Sequence, residues 1–313
     1  MKELKENRND ILVLDAGDLL FKKFTNPTPE SGQNAMSEKA RLILEGFNLM
    51  GYDALGIGDD DLNLGKDFLM EMSKKARFPF LSSNVINEES GKPLFQPYVL
   101  KEIAGMKIGI FSLLSPDLFK GPNDLRKKGL LFRDPVETAQ AMVRELQPKT
   151  DLIVLLSHLS YPKDMELAQN ISGIHLIFGS HTGANLLYPP IIKNTYLLQT
   201  APKGMYGARI DFTFNNNNTF SFYNSTEKRS LESRLNYIKY RLMAKETPGH
   251  EKTQWLKSRQ DTEKALAQLK GKNEFTNIIF PFREGMKDDP DILKMVAEYK
   301  SKYPEKEKPA PPK

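Results

Sequence analysis

Residues 151–183, DLIVLLSHLSYPKDMELAQNISGIHLIFGSHTG, limit what this chain can fold into more than any other stretch. Two apolar runs, 152–156 and 174–178, each give way to small residues and then a histidine, His158 and His181. A short apolar run followed by a polar turn reads as a buried strand of a parallel sheet. In open α/β sheets, ligand sites form outside the carboxyl ends of the strands. Both histidines therefore stand where a site would be assembled, and the site needs partners from other strands.

Composition narrows the chemistry. At 313 residues the chain has room for one large α/β domain, or a domain with an appendage. No apolar run approaches the roughly 20 residues of a membrane helix, so no membrane span is expected. The opening MKELKENRND lacks the apolar core of a signal peptide. With no cysteine, disulfides, thiolate metal sites, iron–sulfur clusters and cysteine nucleophiles are excluded. A metal would have to be held by histidine, carboxylate or amide. The net charge of +5 is concentrated late: residues 225–313 carry 20 Lys and Arg against 14 Asp and Glu. Mixed charge of this kind reads as a solvated helical surface, with a protein-binding patch as the alternative, and not as a site for a nucleic-acid polymer.

Along the chain, residues 11–14 form a short strand before Asp15-Ala16-Gly17-Asp18, and 25–32 a proline-rich loop. Residues 35–50 carry a helical apolar stripe stopped by Gly51. A strand at 54–57 leads into Gly58-Asp59-Asp60-Asp61; a helix over 66–77 and a strand at 78–82 follow. Strands at 98–103 and 107–113 flank the Ala104-Gly105 turn, and Asp134 with Pro135 starts a helix over 135–146. Past the histidines, 191–199 and 207–213 read as strands of a mixed or antiparallel sheet. Asn215 to Asn218 make a turn into a strand at 220–223. From Ser225 the pattern is helical: one stripe runs through Leu231, Leu235, Ile238 and Leu242, another through Trp255, Thr262, Leu266 and Leu269, broken at Thr247-Pro248-Gly249. An apolar patch at 278–282, a last helix over 291–299 and an extended or disordered end complete the chain. The division expected is a domain over 1–224 and a helical extension over 225–313. His175 and His250 are read as structural or surface residues.

Four segments share one plan, a strand followed by a polar turn, and they end in Asp18, in Asp59/Asp60/Asp61, in His158 and in His181. Two carboxylates and two imidazoles are an adequate set for zinc, manganese or iron. The order of these segments resembles the 5′-nucleotidase branch of the calcineurin-like metallophosphoesterases, from about residue 11 to 214. LVLDAGD ends in Gly17-Asp18, the strand plus Gly-Asp of that family. Gly51-Tyr52-Asp53-Ala54 precedes Gly58-Asp59-Asp60-Asp61, where the family has Gly-Asn-His-Glu. Leu156-Ser157-His158-Leu159-Ser160 matches "LSHLG", and Gly179-Ser180-His181-Thr182-Gly183 matches "GGHSH". Phe78-Pro79, Ser82-Ser83-Asn84, Asp134-Pro135-Val136 and the segments 105–109 and 207–211 add support.

The resemblance implies a four-layer α/β/β/α metallophosphoesterase sandwich, lacking its first strand, with a C-terminal helical extension. It implies a divalent metal held by Asp18, Asp59, His158 and His181, and a water activated there to hydrolyse a phosphate ester such as a nucleotide. It also implies an exported, periplasmic bacterial hydrolase of nucleotide catabolism. The departures fall on the chemistry. The family's first Asp-x-His motif is absent, Asp59 replaces a ligand asparagine, Asp60 replaces the catalytic histidine, and Gly183 stands at a last ligand. One metal site is therefore expected instead of two. Related nucleotidase-like bacterial proteins carry a cysteine- or selenocysteine-containing segment ahead of this point. Met1 is accordingly read as a truncated or misassigned start, with the first motif and an export signal upstream. The competing expectation is a degenerate, non-catalytic relative, a binding or scaffold protein whose helical tail carries the interface.

Overall fold

The computed structural model describes residues 10–201, 204–216, 222–243, 248–283 and 285–304. Three short strands, β1 (Leu14–Asp15), β2 (Ala54–Gly56) and β3 (Phe80–Leu81), form a parallel sheet with β2 in the middle. β4 (Val85–Asn87) pairs with β7 (Leu130–Phe132) in a separate antiparallel ladder. A second, larger sheet is made of β5 (Tyr98–Ile103), β6 (Met106–Leu114), β8 (Leu152–His158), β9 (Leu176–Gly179), β10 (Ile191–Ile192) and β11 (Thr195–Leu198). Its order is β10-β11-β9-β8-β6-β5, parallel from β6 to β11 and antiparallel at both edges.

Side-chain alternation along β8 sets the layers. Ile153 and Leu155 pack with Ala139, Val143 and Leu146 of α3 (Pro135–Leu146) and Leu167 and Ala168 of α4 (Tyr161–Asn170). On the other face of the strand, Leu156 lies against β2. The outer face of the small sheet, with Leu55 and Phe80, is covered by Ala40 and Leu44 of α1 (Glu30–Met50) and Leu69 and Met72 of α2 (Gly65–Lys75). Four layers result, α/β/β/α. Gly56 sits where the sheets come closest: a Cβ there would meet Ser112 Oγ at 2.6 Å and Leu156 Cβ at 3.0 Å. Gly56→Val is therefore expected to lower stability by roughly 1–3 kcal/mol through overpacking, read from urea unfolding.

Several boundaries differ from expectation for local reasons. β8 runs on to His158, which pairs with Leu114, so this histidine ends a strand instead of following one. α1 begins at Glu30, inside the expected loop. Pro29 provides a non-helical cap at φ −54°, ψ 149°, and the first turn is polar, with no apolar stripe to read. The helix stops at Gly51, in the left-handed region at φ 69°, as its sequence predicts. Asp134 caps α3 by accepting from Glu137 N at 2.9 Å.

Two compact units divide the chain at other places than residue 224. One comprises residues up to Met205 together with the segment from Phe282; the other is Tyr206–Pro281. In the second, β12 (Tyr206–Thr213) runs antiparallel to β14 (Asn273–Pro281), and β13 (Phe222–Asn224) runs parallel to β14 on its other edge. The long pairing with β14 draws β12 and β13 into the unit that holds the helices. The region after 225 is thus not purely helical, because a nine-residue strand follows the helices, of which the apolar patch was only the end. Helices α5 (Ser225–Met243) and α6 (Gly249–Leu269) pack on each other, with Tyr237 edge-on to Trp255 at 5.8 Å and Ile238 and Thr262 buried. In the first unit, Phe282 N donates to Met205 O at 2.8 Å, and α7 (Pro290–Lys302) lies on α1, where Tyr299 Oη donates to Ala35 O at 3.1 Å. The expected turn at Asn217-Asn218, the break at Thr247 and the end past residue 304 lie outside the described residues. Among the described residues, no helix is long and apolar enough to cross a membrane.

Candidate metal centre

The site is built where the loops after β1 and β2 touch backbone to backbone. A Cβ on Gly17 would meet Gly58 N at 2.4 Å, and one on Gly58 would meet Asp18 Oδ1 at 2.3 Å and His158 Cε1 at 2.7 Å. Only glycine allows this approach, and Gly17, at φ 102°, also needs it for its own conformation. Asp61 ties the loops together: its Oδ2 accepts from Asp18 N and Gly58 N, both at 2.9 Å, and its Oδ1 from Leu20 N at 2.9 Å. Burial and the neighbouring Asp18 push the Asp61 carboxyl up to about 7, against the pull of the backbone donors. Asp61→Asn keeps one acceptor oxygen of two and is expected to cost about 1–3 kcal/mol, measured by denaturant unfolding.

Asp18, Asp59, His158 and His181 converge so that one ligand atom from each lies within 4.8 Å of the others. His158 Nε2 is 3.2 Å from Asp18 Oδ2 and 3.3 Å from Asp59 Oδ1, and His181 Nδ1 is 3.4 Å from Asp59 Oδ1. Asp18 and His181 hold left-handed backbone at φ 61° and 68°, a strained conformation for side-chain-bearing residues at the point where both project into the site. His158 is fully buried; Asp18 and His181 keep 25% and 28% side-chain exposure, which leaves one side of the group open.

Tautomer and charge follow from the neighbours. The Ala16 carbonyl lies 2.9 Å from His158 Nδ1 and can only accept, so Nδ1 carries a proton and Nε2 is the nitrogen turned toward the two carboxylates. Ser180 Oγ lies 2.7 Å from the same Nδ1 and itself donates to the Ala16 carbonyl at 2.9 Å. Burial opposes charging His158, yet Asp18 and Asp59 raise its pKa well above the usual imidazole value. Burial likewise works against ionising Asp59, but His158, His181 and Arg126 hold its carboxyl below the usual range. Asp59 Oδ1 and His158 Nε2 are buried without a hydrogen-bond partner. Two orphaned electron-rich atoms facing each other need a proton or a cation between them. A tetrahedral ion with bonds of about 2.0–2.1 Å spaces its ligand atoms about 3.3 Å apart; three of the separations, at 3.2–3.4 Å, match this, and all lie within 4.8 Å. The donor set and its spacing fit a divalent metal.

Asp60 lies outside this group. Its Oδ1 accepts from Phe24 N at 2.7 Å and Arg126 Nη1 at 3.1 Å, and burial and Asp18 push its carboxyl up to about 6. Gly183 holds left-handed backbone at φ 68° in the loop beyond His181. His175 is buried, its Nδ1 accepts from Ile153 N at 2.9 Å, and burial lowers its pKa to about 4; His250 is exposed at the start of α6. Sequence reasoning missed Arg126, Asp124 and the part played by Asp61. Arg126 stands in DLRKKG and reads as one of a solvated basic run, yet it is 3% exposed. A signal that could have found it is the run of aspartates at 15, 18 and 59–61, because carboxylates buried together call for a counter-charge.

Known proteins resemble this chain in sequence and fold. The chain is 28% identical over 245 residues to a 5′-nucleotidase of Vibrio cholerae, a match covering 68% of this chain and 43% of that protein. Among solved structures, a 5′-nucleotidase precursor from Thermus thermophilus is 28% identical, with a TM-score of 0.53 over 70% of this chain and 45% of that one. The calcineurin-like phosphoesterase YfkN from Bacillus subtilis, 23% identical, shares the fold with a TM-score of 0.55 over 67% of this chain and 73% of the other. No family profile matches the sequence. The chain is similar to the 5′-nucleotidases and shares the fold of the calcineurin-like phosphoesterases. It spans about two fifths of the length of the curated relatives it matches.

Proposed function

We propose that the protein is a metal-dependent phosphoesterase of the 5′-nucleotidase type, acting on a small phosphate ester at the Asp18–Asp59–His158–His181 centre. The observation that carries this reading is the pair of buried, unpartnered atoms Asp59 Oδ1 and His158 Nε2, 3.3 Å apart. A zinc, manganese or iron ion held there supplies a Lewis acid for a phosphoryl oxygen and a water of lowered pKa. The residues of the chain do the rest. Ala16 and Ser180 orient the imidazole of His158, and Asp61 locks the two loops that carry Asp18 and Asp59. The open side, at Asp18 and His181, is where the ester approaches. A single metal position and work outside the cytoplasm belong to the same proposal, the latter resting on the family resemblance alone.

Metal analysis of the purified protein, together with hydrolysis of bis(p-nitrophenyl) phosphate and of nucleoside monophosphates, tests it. One equivalent of metal and turnover, both lost in Asp18→Asn, are expected; a protein with no stoichiometric metal overturns the reading. A second reading is favoured by Asp60 and Arg126. A carboxylate beside the centre repels phosphate, and Arg126 has Nε, Nη1 and Nη2 all committed to carboxylates. On that reading the protein binds metal without catalysis and its helical second unit serves a protein partner; bound metal without turnover of any ester would favour it.

A further inference from the structure

Arg126 is engaged on every side. Its Nη1 donates to Asp59 Oδ2 at 2.7 Å and to Asp60 Oδ1 at 3.1 Å, while Nε and Nη2 form a fork on Asp124 at 3.1 and 2.8 Å. The guanidinium lies over the ring of Phe24 at 4.3 Å and that of Phe119 at 5.0 Å. Asp124 is itself fixed, capping its own turn and accepting from Lys120 N at 2.8 Å. A charge this deeply buried is stable only when paired, and removing one partner leaves the others uncompensated. The consequence falls on Asp59, whose two oxygens have different surroundings. Oδ2 accepts from Arg126, whereas Oδ1 faces His158 Nε2 and His181 Nδ1.

We infer that Arg126 is a positioning residue of the metal centre: by taking up Oδ2 of Asp59 it makes this carboxylate a one-oxygen ligand and offsets its charge, so that Asp59 presents to the metal what a neutral amide would. The inference rests on the metal reading of the centre. Planarity matters to it, because a guanidinium can fork onto Asp124 and still reach Asp59 and Asp60, which a single ammonium cannot do.

A double-substitution cycle tests this. Arg126→Met leaves Asp59 with two free oxygens and an unbalanced charge. It is expected to weaken binding of Mn2+ or Zn2+ by about 10- to 100-fold, to shift the absorption spectrum of the cobalt-loaded protein, and to lower the unfolding midpoint of the metal-free protein. Arg126→Lys should not restore these properties. Asp59→Asn combined with Arg126→Met should recover most of the affinity, since an amide needs no counter-charge, while the midpoint stays lowered because Asp124 and Asp60 still lack their cation. An additive double variant, or an Arg126→Met protein with unchanged affinity and cobalt spectrum, overturns the inference while leaving the metal reading intact. A wild-type protein that takes up no metal removes the metal reading first, and the inference with it.

Discussion

His158→Ala is expected to reduce metal affinity by at least about a hundredfold, leaving the purified protein with far less than one equivalent of bound metal. The imidazole is the one ligand of the four that is fully buried, and it alone contacts both Asp18 and Asp59. Its Nδ1–H on the Ala16 carbonyl raises the basicity of Nε2 and fixes its direction, a device that is itself worth about 10- to 100-fold in metal affinity. Alanine removes both the ligand and the orienting bond. Elemental analysis and isothermal titration check the outcome, and a variant that retains a full equivalent would show that the other three residues suffice. His175→Ala, which removes the other buried histidine in this part of the chain, should leave metal content unchanged.

A second large effect concerns Asp164 of α4. Its side chain is buried, its Oδ1 accepts from Ser157 Oγ, and its Oδ2 has no partner. Burial raises its pKa from 3.8 to about 7, against the opposing pull of Ser157 and of the charge on His158. The folded form therefore holds a proton that the unfolded chain releases near pH 4. The stability this proton brings is fully present below about pH 4 and is lost as pH rises through 7. The gap between 3.8 and about 7 corresponds to about 4 kcal/mol. Asp164→Asn cannot titrate, so the stability of the variant relative to wild type is expected to rise by about this amount between pH 4 and pH 8, whatever the offset at pH 4. Urea unfolding of both proteins across that range measures it, and parallel pH profiles would refute it.

Much of the centre was legible because its parts are local. A buried strand ending in a polar turn is a periodicity signal, and four such turns in order brought Asp18, Asp59, His158 and His181 forward as candidates. Those four come together in space. Gly51, Asp134 and the turn at Ala104-Gly105 were readable for the same reason, since each acts on residues a few positions away. What escaped was long-range. Arg126 reaches residues that are 67 and 66 positions distant, and nothing in its own neighbourhood separates it from an exposed lysine-rich loop. The span of the second unit escaped likewise, because β14 is set by pairing with β12, across two intervening helices.

That pairing has a consequence for how the chain could have been assembled. The first unit gives up the chain at Met205 and takes it back at Phe282, and these two residues share a hydrogen bond of 2.8 Å. Tyr206 and Pro281 are register partners as well. The path leaves and returns at neighbouring residues, so each doubling of the segment beyond them adds only about 0.6 kcal/mol of closure entropy to the scaffold behind it. Residues 206–281 are in this sense a cassette. A cassette of twice the length, joined at the same residues, is expected to leave α7 on α1 and the loops of the metal centre in contact.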